Sequence, residues 1–142
     1  MGSVRESAPH TRILPGTQMR KVVPPRMVGP YMSGQRGVIA GYVHRVRDLL
    51  LRNPADAFYA LGLGYEGSDF KPDMTELYLL SWQAREIDGY VPVTARGATG
   101  RAEFYLEPIQ IPVATTLCRM TDAGEEQVAR YDGLAWQRPR EG

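Results

Sequence analysis

From Gly37 to Val46 the chain reads GVIAGYVHRV. In an extended backbone Val38, Ala40, Tyr42, His44 and Val46 fall on one side. Ile39, Gly41, Val43 and Arg45 fall on the other. This is the period of a strand, and runs of similar length recur along the chain. Thr17 to Val23 reads as a strand between the Pro15-Gly16 turn and the break at Pro24-Pro25. Glu76 to Gln83 is apolar on both sides, the mark of a central strand. Tyr90 to Thr94, Ala102 to Leu106 and Thr115 to Thr121 read as further strands. Glu126 to Gln137 reads as a hairpin, with Asp132-Gly133 as a two-residue turn and Tyr131 close to Trp136 across it.

One segment opens as a helix. Asn53 is an N-cap residue, Pro54 suits the first helical position, and Asp56 lies in the first turn. Ala55 to Leu61 continues it, and Gly62 can close it in a left-handed conformation. Arg47 to Arg52 allows an earlier helical turn. Residues 24–37 and 62–74, rich in Gly and Pro, read as loops, and 95–101 as a small-residue loop. The expected fold is therefore a β-rich α+β single domain. It has about seven or eight short strands in a mainly antiparallel sheet, continuous or split, with one or two helices. Residues 1–12 are expected to be a flexible N-terminal tail and 13–142 the domain.

A chain of 142 residues is long enough for its own core. The single cysteine, Cys118, permits no internal disulfide, and His10 and His44 match no metal motif. No metal is expected. A formal net charge of +1 lacks the basic field that draws in nucleic acid. No run has the roughly 20 apolar residues of a membrane helix, and no signal peptide is evident, so the expected compartment is the cytoplasm or the exterior by a route without a classical leader. Of the seventeen basic residues only Lys21 and Lys71 are lysines. A GC-rich coding sequence explains that bias, and so does a need for forked donors to phosphate or carboxylate.

No phosphate-binding loop, dinucleotide glycine fingerprint or nucleophile elbow is present. Weaker candidates remain, each with a plain alternative. Arg20, on the first strand, can hold a phosphate bidentately, or be a surface arginine on an edge strand. Gly41 leaves room for a ligand, or for another backbone. Tyr42 offers a ring for stacking, or for core packing. His44 can exchange protons near neutrality, or be a satisfied structural histidine. Glu103 stands at a strand start that suits a cleft mouth, or is a strand-end charge, and Glu107 shares its face by alternation. Cys118 reads as a buried thiol rather than a nucleophile. Arg45, Arg47 and Arg52 can touch phosphates, or form a solvated face.

The order of these residues resembles the ADP-ribosyltransferase domains of bacterial toxins and effectors. Thr17-Gln18-Met19-Arg20 looks like that family's first element, Gly41-Tyr42-Val43 like the lead-in to its second, and Arg101-Ala102-Glu103-Phe104-Tyr105-Leu106 like its last. His44-Arg45-Val46 stands where that family has Ser-Thr-Ser, and Arg101 stands where it has Gln or Glu. The resemblance implies a split sheet holding NAD as co-substrate, with Arg20 on the dinucleotide, Tyr42 near the nicotinamide and Glu103 catalytic. NAD hydrolysis fits as well as transfer.

Two other classes stay open. A non-enzymatic interaction or assembly module, with another protein chain as partner, would use the loops at 24–37 and 62–74. A metal-independent ribonuclease would pair His44 with Glu103 and hold phosphate with Arg45 and Arg47. The oligomeric state is not readable from the chain.

Overall fold

The computed structural model describes residues 12–61, 63–64, 67–93 and 103–139. The expected tail (but for Arg12), the closing Gly62, the end of the fourth strand at Thr94, the 95–101 loop and Ala102 lie outside them. The strands are β1 (Gln18–Val23), β2 (Val38–Arg45), β3 (Leu77–Gln83), β4 (Tyr90–Val93), β5 (Glu103–Gln110), β6 (Thr116–Thr121), β7 (Gly124–Tyr131) and β8 (Trp136–Gln137). They form one open eight-stranded antiparallel sheet in the order β4-β5-β2-β1-β3-β6-β7-β8. This is the β-rich α+β domain read from the alternating runs, and the two-sided β3 lies inside the sheet between β1 and β6.

Two helices cover the sheet. α1 (Val28–Met32) rises from a 3-10 turn at Pro25–Met27, in the segment expected to be loop. Its Pro30 lies in the first turn, where a missing N–H leaves no helical bond unmade. Tyr31 anchors the helix: its ring is buried and its hydroxyl donates to the Val38 carbonyl at 3.2 Å. α2 (Pro54–Ala60) starts as expected, with the Asn53 side chain accepting from the Asp56 N–H at 2.8 Å. The helical turn anticipated over 47–52 is a 3-10 turn at Val46–Asp48.

Strand alternation sorts the core into two clusters. On the α1 side Met19, Val23, Ile39, Val43, Leu80 and Phe104 are buried with Tyr31. On the α2 side Ala57 packs with Leu77, Leu79 and Met120. The β2 faces fall as the alternation requires, Ile39 and Val43 being fully buried while Tyr42 is exposed. The last hairpin differs from its expected two-residue turn. Tyr131 pairs with Trp136, leaving 132–135 as the loop. Asp132 explains the longer form: its carboxylate accepts from the N–H groups of Leu134 (2.8 Å) and Ala135 (2.9 Å). Those bonds hold its carboxyl below the usual carboxylate range. The Tyr131 and Trp136 rings lie 5.3 Å apart, the cross-strand contact the sequence suggests.

No helix among the described residues is long and apolar enough to cross a membrane.

Candidate functional site

The sheet is nearly divided between β1 and β2. Their ladder consists of Met19 opposite Arg45 and Arg20 opposite His44, whereas β1 pairs with β3 along its whole length. Beyond Arg20 the β1 backbone no longer pairs with β2. The Lys21 ammonium donates instead to the Tyr42 carbonyl at 3.4 Å. The two halves stay joined on the α1 side, where one cluster takes Leu80 and Trp82 from one half and Val43 and Phe104 from the other. The Trp82 indole N–H also donates to the Tyr90 hydroxyl at 2.8 Å, which donates to Asp88 at 3.1 Å. Burial raises the Tyr90 pKa far above its ordinary value, so that hydroxyl stays a donor.

The gap is a cleft of about 740 Å³, within the usual range of small-molecule sites of about 300–1,000 Å³. Lys21 and Val23 line it from β1, Ala40, Tyr42 and His44 from β2, and Glu103 from β5. Tyr31, Arg36, Leu61 and Phe70 line it as well.

One wall carries chemistry. Tyr42 pairs with Tyr105 and Val43 with Phe104. The next step along this ladder brings His44 beside Glu103, with Nε2 3.7 Å from the carboxylate Oε2. His44 is 6% exposed. Tyr42 is 50% exposed and meets Tyr105 edge to face at 5.5 Å, so its ring remains open to a ligand. Lys21 is largely buried in the facing wall. Burial first, and then the charge of Arg36, push its pKa down from 10.5 to about 8, while Glu103 pulls the other way. Gly41 has φ +99° and a Cβ built there would stand 3.3 Å from the Lys21 Nζ, so this glycine both adopts a left-handed backbone and gives the ammonium its place.

The candidates read from the sequence separate here. Tyr42, His44 and Glu103 meet on the cleft wall, and Gly41 adjoins it through Lys21. Arg20 lies in register with His44 on a central strand, not on an edge, but its guanidinium bonds Glu125 at 3.1 Å and it does not line the cleft. Glu107 is exposed beside Gly89, away from the cleft. Arg45 is buried, 2.5 Å from Asp48 and stacked on the Phe104 ring, so it is not placed to hold a phosphate in the cleft. Cys118 is half-buried and burial raises its thiol pKa, which suits an inert thiol. Lys21 and Arg36 were not singled out by sequence reasoning. Lys21 had a signal: it interrupts the apolar side of Met19-x-Lys21-x-Val23, in a chain that otherwise uses arginine almost everywhere. Among the described residues no group of three His, Cys, Asp or Glu side chains is arranged to hold a metal ion.

Comparison with known protein families, characterised proteins and solved structures finds no match to this chain.

Proposed function

We propose that the cleft binds NAD and that the domain cleaves its nicotinamide–ribose bond, as an ADP-ribosyltransferase or an NAD glycohydrolase. The observation that carries this reading is the convergence of Tyr42, His44 and Glu103 on one wall where the sheet opens. Three residues singled out in the sequence, two on β2 and one on β5, face one ligand-sized space. The likeness of residue order to bacterial toxin and effector domains points the same way.

The chemistry follows from the wall. Tyr42 packs against the nicotinamide ring. The glycosidic C–N bond breaks through an oxocarbenium-like state, and its electron pair leaves with neutral nicotinamide. The Glu103 carboxylate stabilises the positive charge developing on the ribose and holds a ribose hydroxyl. Water or an acceptor nucleophile adds to the ribose carbon, and His44 takes the proton it releases. Replacing Glu103 by Gln removes the charge and keeps the shape. Nicotinamide release from NAD should fall at least about a hundredfold, a loss typical of a stabilising group at a reacting centre. Full activity in Glu103→Gln would remove this assignment.

A second reading has its own observation. Val91, Tyr105 and Tyr42 are register neighbours across β4, β5 and β2, and are 51%, 39% and 50% exposed. An apolar stripe across three strands suits a protein partner. Co-elution of the domain with a partner chain from its host, lost in Tyr105→Ser, would favour it.

A further inference from the structure

The cleft is uneven in charge. Lys21 and Arg36 both line it, close enough that Arg36 is the second cause of the low Lys21 pKa. Gathering two cations in a partly enclosed space is unfavourable unless something negative comes between them. Among the described residues no carboxylate pairs with Arg36, and its Nε is buried without a hydrogen-bond partner. The Lys21 ammonium is a donor of three bonds, and its one hydrogen bond among the described residues is the long contact to the Tyr42 carbonyl. The nearest carboxylate, Glu103, offsets the two cations only in part, since burial and Arg36 still leave Lys21 with a lowered pKa. Arg26 bonds Asp69 at 2.6 Å, and Glu103 faces His44.

We propose that Lys21 and Arg36 form an anion subsite that holds the diphosphate of the cleft's ligand. The choice of a diphosphate rests on the dinucleotide reading above; the two donors themselves do not. Arg36 offers a fork to two phosphate oxygens and Lys21 a point charge to a third. Gly41 keeps the space above the ammonium clear, so the amine reaches the anion without displacing a side chain. Binding takes up a proton, because an anion beside Lys21 favours its charged form. The other charged or titratable groups that line the cleft with Lys21 are Arg26, Tyr31, Arg36, Tyr42, His44, Asp69 and Glu103.

The test is calorimetric titration with ADP-ribose, whose diphosphate does not titrate between pH 7 and 9.5. The variants are Lys21→Gln, Lys21→Arg and Arg36→Gln, each checked for folding by thermal melting. Lys21→Gln and Arg36→Gln should each weaken binding at least about tenfold at pH 7. Wild-type affinity should fall about thirtyfold from pH 7 to 9.5, following the charged fraction of an amine titrating near 8. Lys21→Arg, permanently charged, should lose that dependence. Unchanged affinity in both Gln variants, a flat wild-type profile, or no binding of ADP-ribose by folded protein would overturn the subsite. ADP-ribose bound in this manner without nicotinamide release from NAD would remove the enzymatic reading alone. Nicotinamide release unaffected by Lys21→Gln and Arg36→Gln would remove the subsite alone.

Discussion

Replacing Lys21 by Met should make this protein more stable at neutral pH. A lysine whose pKa falls from 10.5 to about 8 on folding holds its proton more tightly in the unfolded chain. At pH 7 that difference costs the native state about 3 kcal/mol, since each tenfold loss of proton affinity corresponds to about 1.4 kcal/mol. Met keeps the apolar stem and removes the charge. It also gives up the bond to the Tyr42 carbonyl, worth about 1 kcal/mol. The expected net gain at pH 7 is about 2 kcal/mol, or roughly 6 °C in melting temperature for a chain of this size. The gain should depend on pH in a defined direction. Between about 8 and 10.5 the unfolded chain binds more protons than the folded one, so wild-type stability rises with pH there. The advantage of the Met variant should therefore shrink by about 2 kcal/mol from pH 7 to 9.5. Urea unfolding of both proteins at several pH values measures this directly. A Met variant less stable than wild type at every pH, or a gain that does not change with pH, would refute the reasoning. A charge kept at such a cost inside a cleft is what a functional role predicts.

Gly41→Ala should destabilise by about 1–3 kcal/mol, because a side chain at positive φ is strained there and the new methyl crowds the Lys21 ammonium; thermal melting checks it. Asn53→Ala should lower stability by about 1 kcal/mol through loss of the α2 cap, with the Asp56 N–H left without its acceptor. A fall in melting temperature of roughly 3 °C is the expected readout. In the Glu103→Gln protein, nicotinamide release should be lost while melting temperature stays near wild type, since Gln preserves the side-chain volume on a partly exposed wall.

The strands were legible because each is a local pattern. The alternation in Val38–Arg45 and the two-sided run Leu77–Gln83 needed no knowledge of partners. The α2 start was legible for the same reason, its cap being written in Asn53-Pro54-x-Asp56. α1 was not, because Gly29 and Pro30 carry loop propensity and the helix depends on burying Tyr31 against the sheet. The opening between β1 and β2 was not legible either. It is an absence of pairing between strands far apart in sequence, and Lys21 looks like any strand-edge charge until Gly41 and Arg36 stand beside it. Arg20 and Lys21 are adjacent and fall on opposite faces; Arg20 shares the face of its register partner His44 but is held by Glu125, whereas the Lys21 ammonium reaches the gap at the Tyr42 carbonyl.

The most direct test of the account is to titrate NAD into isotope-labelled protein and follow the backbone amide signals. The 15.9 kDa chain suits such spectra. The account predicts that the amides of Lys21, Arg36, Tyr42, His44 and Glu103 move together and saturably, while those around Cys118 and Glu125 on the far strands stay in place. No response to millimolar NAD, or a response centred away from the gap between β1 and β2, would contradict it.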